Sequence, residues 1–126
     1  MIDLREKVVY LAAPKRLFDS DLYQEAKRYL SQRCKSLYDP RGKYKSNQEW
    51  LENYETDLLE CDVMVIVSDD DFIGKGVYSE YVFMLSRYCK CYYYDDVGDD
   101  TMRLVPIKRI EISDENDWRD YAFIVY

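Results

Sequence analysis

The chain of 126 residues has no histidine, which excludes imidazole general bases, His-containing triads and most zinc sites. Any catalysis must therefore run on carboxylates, tyrosines, lysines or cysteines. Glycine and proline are scarce, at four and three residues. With an apolar fraction of 48%, that scarcity excludes a disordered or fibrous chain, because enough side chains exist to fill a core. Long apolar runs are lacking too, since stretches such as 8–14 fall far short of a membrane span. Basic residues are outnumbered 18 to 25, giving a net charge of −7. The mean field repels phosphate polymers and anionic membranes, so neither a nucleic acid polymer nor a membrane is an expected partner. The opening residues Met1-Ile2-Asp3-Leu4-Arg5-Glu6-Lys7 are charged throughout rather than leader-like. Cys34, Cys61, Cys89 and Cys91 without a secretory signal suit a reducing compartment, and a cytoplasmic location is expected. The length suits one domain, residues 1–126, that needs no metal or disulfide staple.

Val8 to Ala12 is a continuous apolar run ending at Pro14, as expected of a parallel strand buried on both faces. From Ser20 onward Leu22, Tyr23, Ala26, Tyr29, Leu30 and Cys34 recur at helical spacing, with Asp19 or Ser20 as cap. Ser36-Leu37-Tyr38 reads as a short strand before the Asp39-Pro40-Arg41-Gly42 loop. Ser46-Asn47-Gln48-Glu49 has capping-box form, and Leu51, Tyr54, Leu58 and Leu59 predict a helix from Asn47 to Glu60. Asp62 to Val67 is the clearest buried strand and is expected at the centre of the sheet. Gly74-Lys75-Gly76 opens a third helix, and Cys89 to Tyr94 supplies a fourth strand. An acidic loop follows over Asp95 to Asp100. Leu104 to Ile112 reads as extended or irregular, Ser113 as the cap of a short turn, and Tyr121 to Tyr126 as a terminal strand. Strands alternating with helices imply an open parallel α/β sheet covered on both faces, with ligands at the carboxyl ends of the strands.

The loops at that edge carry Ala13 to Arg16, Asp39 to Lys45 and Asp69 to Gly76, an acidic site with a basic rim. Glu80 lies four residues after Gly76. A helix beginning near Gly76 puts this carboxylate in its first turn, where the macrodipole favours the charged form and an anionic nucleophile is expected. An acid in a first turn also simply improves the helix terminus, which is the commoner use.

Val9-Tyr10-Leu11-Ala12-Ala13-Pro14, Asn53-Tyr54-Glu55-Thr56-Asp57-Leu58 before Cys61-Asp62, and Gly76-Val77-Tyr78-Ser79-Glu80 together resemble the nucleoside 2-deoxyribosyltransferase family, which includes related deoxynucleoside 5′-monophosphate N-hydrolases. The likeness runs over nearly the whole chain in order and spacing. It implies a flavodoxin-like three-layer sandwich with a mainly parallel five-stranded sheet. It also implies Glu80 as nucleophile, Tyr10 steadying it, and Asp57 assisting the nucleobase. Asp71 corresponds to a family Asp used for substrate hydroxyls or base, and Ala12 and Gly76 would lie along the substrate. In the family a neighbouring subunit's C-terminal carboxyl often completes the pocket, which implies a role for Tyr126 and a homo-oligomer with a shared active site. The expected partner is a deoxynucleoside or deoxynucleotide. The sequence departs from the family where Tyr81-Val82-Phe83-Met84 follows the nucleophile in place of Leu-Gly and a small residue. Lys75 and Tyr78 stand where the family has small residues, and would narrow the pocket or set a cation beside Glu80.

Such residues suit the chemistry. Breaking an N-glycosidic bond places positive charge on the anomeric carbon, which a carboxylate stabilises and then traps covalently. A second acid, raised in pKa by neighbouring acids, protonates the departing base. A 2-deoxy sugar lacks the hydroxyl that destabilises the cation, so no cofactor is required. Arg41, Lys43, Lys45 and Ser46 precede the second helix, whose N-terminus would bind an anion, and Lys15 and Arg16 approach from the first loop. Facing the pocket, they would hold a 5′-phosphate and make the chain a deoxynucleoside monophosphate N-hydrolase; otherwise they are a solvated rim. A non-catalytic nucleotide-binding or sequestering module on the same fold is the rival of another class. Asp69, Asp70 and Asp71 read as a polar turn, since three successive acids point apart and lack a calcium loop's spacing. A receiver domain wants acids after the first strand, and a flavin site wants a Gly/Ser/Thr-rich loop there; Ala12-Ala13-Pro14 supplies neither. Cys89 and Cys91 would face one side of a strand as buried thiols, and tyrosines other than Tyr10 read as core or interface residues.

Overall fold

In chain order the elements are β1 (Val8–Ala12), α1 (Asp21–Ser31), β2 (Ser36–Tyr38), α2 (Asn47–Leu58), β3 (Val63–Ile66), β4 (Phe72–Ile73), α3 (Lys75–Ser86), β5 (Lys90–Tyr94), β6 (Leu104–Pro106), β7 (Arg109–Ile112) and β8 (Ala122–Val125). The computed structural model describes residues 2–41, 43–96, 103–113 and 120–126. Four strands run parallel: β1 lies between β2 and β3, with Tyr10 opposite Tyr38 and Met64, and β3 pairs with β5, Ile66 opposite Tyr93. β6 closes this five-stranded sheet antiparallel to β5, giving the order β2-β1-β3-β5-β6. Together with three α-helices this is a mixed α/β fold whose larger sheet is mostly parallel.

The central strands are buried along their length, so alternate residues feed two different cores. Val9, Leu11, Val63, Val65 and Val67 join Tyr23, Ala26 and Leu30 of α1. Tyr10, Ala12, Met64, Ile66 and Cys91 join Leu58 of α2 and Val77, Tyr81 and Met84 of α3. The second set matters most, because it points Tyr10 at α3.

Local signals set the helix starts. Ser20 accepts from the Tyr23 amide and caps α1; Ser46 accepts from the Glu49 amide and caps α2. The predicted second helix stops at Leu58, two residues short of Glu60, and its buried stripe is turned from the predicted one. Leu51 and Leu59 are exposed, while Trp50, Tyr54 and Leu58 face inward toward α3 and the core. α3 begins one residue before Gly76, with Gly74 as its N-cap, so Glu80 lies in the second turn rather than the first.

The terminal strand goes elsewhere than predicted. Instead of joining the parallel sheet, β8 lies between β4 and β7 in a separate antiparallel sheet. Its burial alternates, with Ala122 and Ile124 inward, as suits a strand covered on one face. The stretch Leu104 to Ile112 resolves into β6 and β7, which belong to different sheets. β4 was not anticipated, since two residues carry no periodicity. Of the predicted acidic loop, residues 97–100 lie outside the described residues, as do Gly42 and the turn after Ser113 at 114–119. Among the described residues no helix is long and apolar enough to cross a membrane.

Arg87 fastens α2 to α3. Past the end of α3, its guanidinium donates to the carbonyls of Leu58 at 2.7 Å, Leu59 at 3.0 Å and Cys61 at 3.3 Å, satisfying orphan acceptors at the α2 C-terminus. Arg87→Ala is expected to lower stability in urea by about 1.5–3 kcal/mol, and Arg87→Lys to recover only part, because an ammonium cannot fork across several carbonyls. An Arg87→Ala protein as stable as the parent contradicts this clamp.

Candidate active site

Tyr10 and Glu80 meet in the core. The Tyr10 hydroxyl, projecting from the middle of β1, donates to Oε2 of Glu80. Trp50 donates its indole N–H to the same oxygen at 3.2 Å. Glu80 is only 5% exposed, and burial pushes its carboxyl up to about 7, against the pull of the Tyr10 and Trp50 donors. The first-turn expectation of a charge favoured by the helix dipole is thus corrected: desolvation governs this group. Tyr10 is held far above the ordinary phenol range by burial and by the Glu80 charge, so it remains a neutral donor at any physiological pH. Among the described residues both of these hydrogen bonds fall on Oε2.

Trp50 was missed by sequence reasoning. Its ring stacks on Tyr54 at 4.4 Å and 12°, and a Cβ on Gly76 would lie 3.8 Å from the indole. Gly76, Glu80 and Phe83 form one stripe of α3, and Phe83 meets Tyr54 edge-on at 6.4 Å. The signal that could have found it is the spacing of Trp50, Tyr54 and Asp57 along one face of α2.

Asp57 is brought to the same region but not onto Glu80. It accepts from the Tyr44 hydroxyl at 2.5 Å. Between the two carboxyl groups stands Tyr38, whose ring lies 5.6 Å from that of Tyr10. Its hydroxyl is shut off from water without a hydrogen bond of ordinary geometry among the described residues, beside Lys43, Tyr44 and Asp57.

The remaining predicted residues scatter around this centre. Ala12 is buried in β1 opposite Ile66, and its carbonyl accepts from the Val67 amide at 2.8 Å. Asp71 adopts the left-handed backbone region at φ 67° and accepts from the Tyr126 hydroxyl of its own chain. Tyr126 also packs edge-on against Tyr93 at 5.0 Å. The basic residues are held by other groups. Arg16 forks onto Asp69 at 2.8 and 3.0 Å and holds that carboxyl below its ordinary value. Arg41 pairs with Asp19, and Lys43 lies over the Tyr38 ring at 4.4 Å. The Ser46 hydroxyl caps α2, and Lys15 donates to Asn47 at its first residue at 3.3 Å. Lys75 lies 5.8 Å from the Tyr121 ring centre, and Tyr78 meets the same ring at 5.5 Å. Asp69, Asp70 and Asp71 form a turn in which Asp70 accepts from the Phe72 amide; among the described residues no three acids or thiols converge as a metal site. Burial pushes the Cys61 and Cys91 thiols up to about 12, so neither is a thiolate nucleophile.

No family model matches the chain, and no curated protein does. Among solved structures it is similar to a conserved protein from Enterococcus faecalis, at 20% identity and a TM-score of 0.54, over 75% of this chain and 69% of that one. At that identity the likeness concerns the fold alone.

Glu80 ties stability to pH. With its value raised from 4.5 to about 7, the folded state keeps a proton that the unfolded chain has released. The stability this contributes is full below 4.5 and is lost as pH rises through 7. Glu80→Gln keeps an acceptor for Tyr10 and Trp50 but cannot ionise, so its stability relative to the parent is expected to rise by about 3 kcal/mol across that window. Urea titrations at both ends of the window measure this; parallel pH dependence in the two proteins contradicts it.

Proposed function

We propose that the chain is a flavodoxin-like three-layer sandwich that cleaves or transfers the N-glycosidic bond of 2′-deoxynucleosides through a covalent glycosyl-Glu80 intermediate. The observation that carries this reading is the convergence of Tyr10 and Trp50 on one oxygen of a buried carboxyl at the sheet's helix-covered face. A carboxylate so fixed has one oxygen anchored and the other directed at a reacting carbon, which is the preorganisation that trapping a glycosyl cation needs. The raised pKa suits it as well, because a weakly solvated carboxylate is a better nucleophile once ionised.

Oε1 of ionised Glu80 bonds to the anomeric carbon as the bond from that carbon to the base nitrogen breaks, and the electron pair leaves with the base. A proton donor neutralises the base, and Asp57, joined to Tyr44, is the candidate. Water or a second base then attacks the anomeric carbon, the bond to Oε1 breaks with its electron pair returning to Glu80, and the proton of the attacking group passes back to the donor, now a base.

Incubation with one deoxynucleoside plus a second free base is the test. Exchanged nucleoside indicates a transferase and free base alone an N-hydrolase; neither product would leave a binding module in place of an enzyme. Glu80→Ala is expected to abolish turnover, and retained turnover contradicts the assignment. In the parent, kcat/KM is expected to rise with pH through about 7 as Glu80 ionises. Tyr10→Phe removes a donor to the charged form, so it should cut kcat/KM roughly 10- to 100-fold and move that inflection upward. An unmoved inflection contradicts the role given to Tyr10.

A further inference from the structure

A hollow of about 250 Å³ opens on the outer side of α3, lined by Tyr54, Lys75, Tyr78, Ser79, Val82 and Tyr121. Its volume lies below the roughly 300–1,000 Å³ of pockets that enclose whole drug-sized ligands, so it suits a ring system better than a complete nucleoside. Three of its walls are tyrosine rings, and aromatic faces hold planar heterocycles with little regard to their identity. Ser79 and Lys75 add polar groups at the rim.

The hollow adjoins the carboxyl without opening onto it. Tyr54 lines it and at the same time stacks on Trp50, whose indole covers Gly76 and donates to Glu80. Ser79, in its wall, precedes Glu80 in the chain. The Trp50 indole is thus the partition between an aromatic hollow and a buried acid.

We propose that the tyrosine-lined hollow is a nucleobase site and that Trp50 is the gate between it and Glu80. The inference rests on the reading of Glu80 as a glycosyl acceptor. With the indole swung off Tyr54, the base lies against Tyr54, Tyr78 and Tyr121, the sugar takes the space the indole vacated, against Oε1, and the Tyr10 hydroxyl alone holds Oε2. In the closed form Trp50 also keeps Glu80 from water. A ligand that needs the open form binds with an affinity reduced by the fraction of molecules that are open.

Calorimetric titration with free adenine, and with 2-deoxyribose as a non-aromatic control, tests the site without turnover. The parent is expected to bind adenine and not the sugar. Trp50→Ala should bind adenine as the parent does and 2′-deoxyadenosine about tenfold more tightly, the gate to the space for the sugar having been removed. Tyr121→Ala should bind at least roughly fivefold more weakly through loss of a stacking face. Ser79→Phe, which fills the hollow from its wall, should abolish binding and serves as a second variant if Tyr121→Ala fails to fold. Absence of saturable adenine binding in both the parent and Trp50→Ala overturns the proposal, as does binding unchanged in Ser79→Phe. Adenine bound as expected with neither base exchange nor release of free base from a deoxynucleoside upholds the site and removes the glycosyl-Glu80 reading. Base exchange that persists in Ser79→Phe does the reverse.

Discussion

The hydrogen bond between Tyr10 and Glu80 is the constraint on which the site depends. A carboxyl taken out of water is costly unless donors meet it, and Glu80 is met by a phenol from β1 and an indole from α2. Each donor belongs to a different element, so the contact can form only when β1, α2 and α3 are all in place. The two-residue alternation of β1 sends Tyr10 to the side occupied by α3, and the indole lies over Gly76 of that helix. Arg87 then holds the far ends of α2 and α3 together.

The same burial gives the group its chemical character. An exposed glutamate is fully charged at neutral pH and well solvated, while Glu80 titrates near 7 because water is kept away from it. Asp57 sits apart with Tyr44, and the tyrosines between them form a continuous phenolic lining from one acid to the other. The two carboxyl groups thus occupy unlike surroundings, Glu80 between Tyr10 and Trp50 and Asp57 beside Tyr44. Arg16 and Arg41 are tied to Asp69 and Asp19, so the rim is a lattice of ion pairs rather than a bare cationic cradle.

Much of the parallel sheet was legible in the sequence, because Val8 to Ala12 and Val63 to Ile66 are unbroken apolar runs that only a strand buried on both faces accommodates. Ser20 and Ser46 marked their helices through hydroxyls that do cap. The pairing of Tyr10 with Glu80 followed from resemblance, since nothing in spacing alone joins residues seventy positions apart. The phase of α2 was misread because exposed Leu51 and Leu59 compete with Trp50 and Tyr54 as markers of its inner face. The start of α3 was ambiguous between Gly74 and Gly76; it falls at Lys75, and burial rather than the helix dipole governs Glu80. The small antiparallel sheet was hidden, as β4 is too short for a pattern and the register of β8 is set by partners distant in sequence.

The most direct measurement is peptide mapping by mass spectrometry after the protein is mixed with a 2′-deoxynucleoside and quenched in acid. A deoxyribosyl adduct is expected on the peptide that carries Glu80, at its carboxyl group and absent from the Glu80→Gln protein. An adduct on another residue, or release of base with Glu80 unmodified at every time sampled, would contradict it.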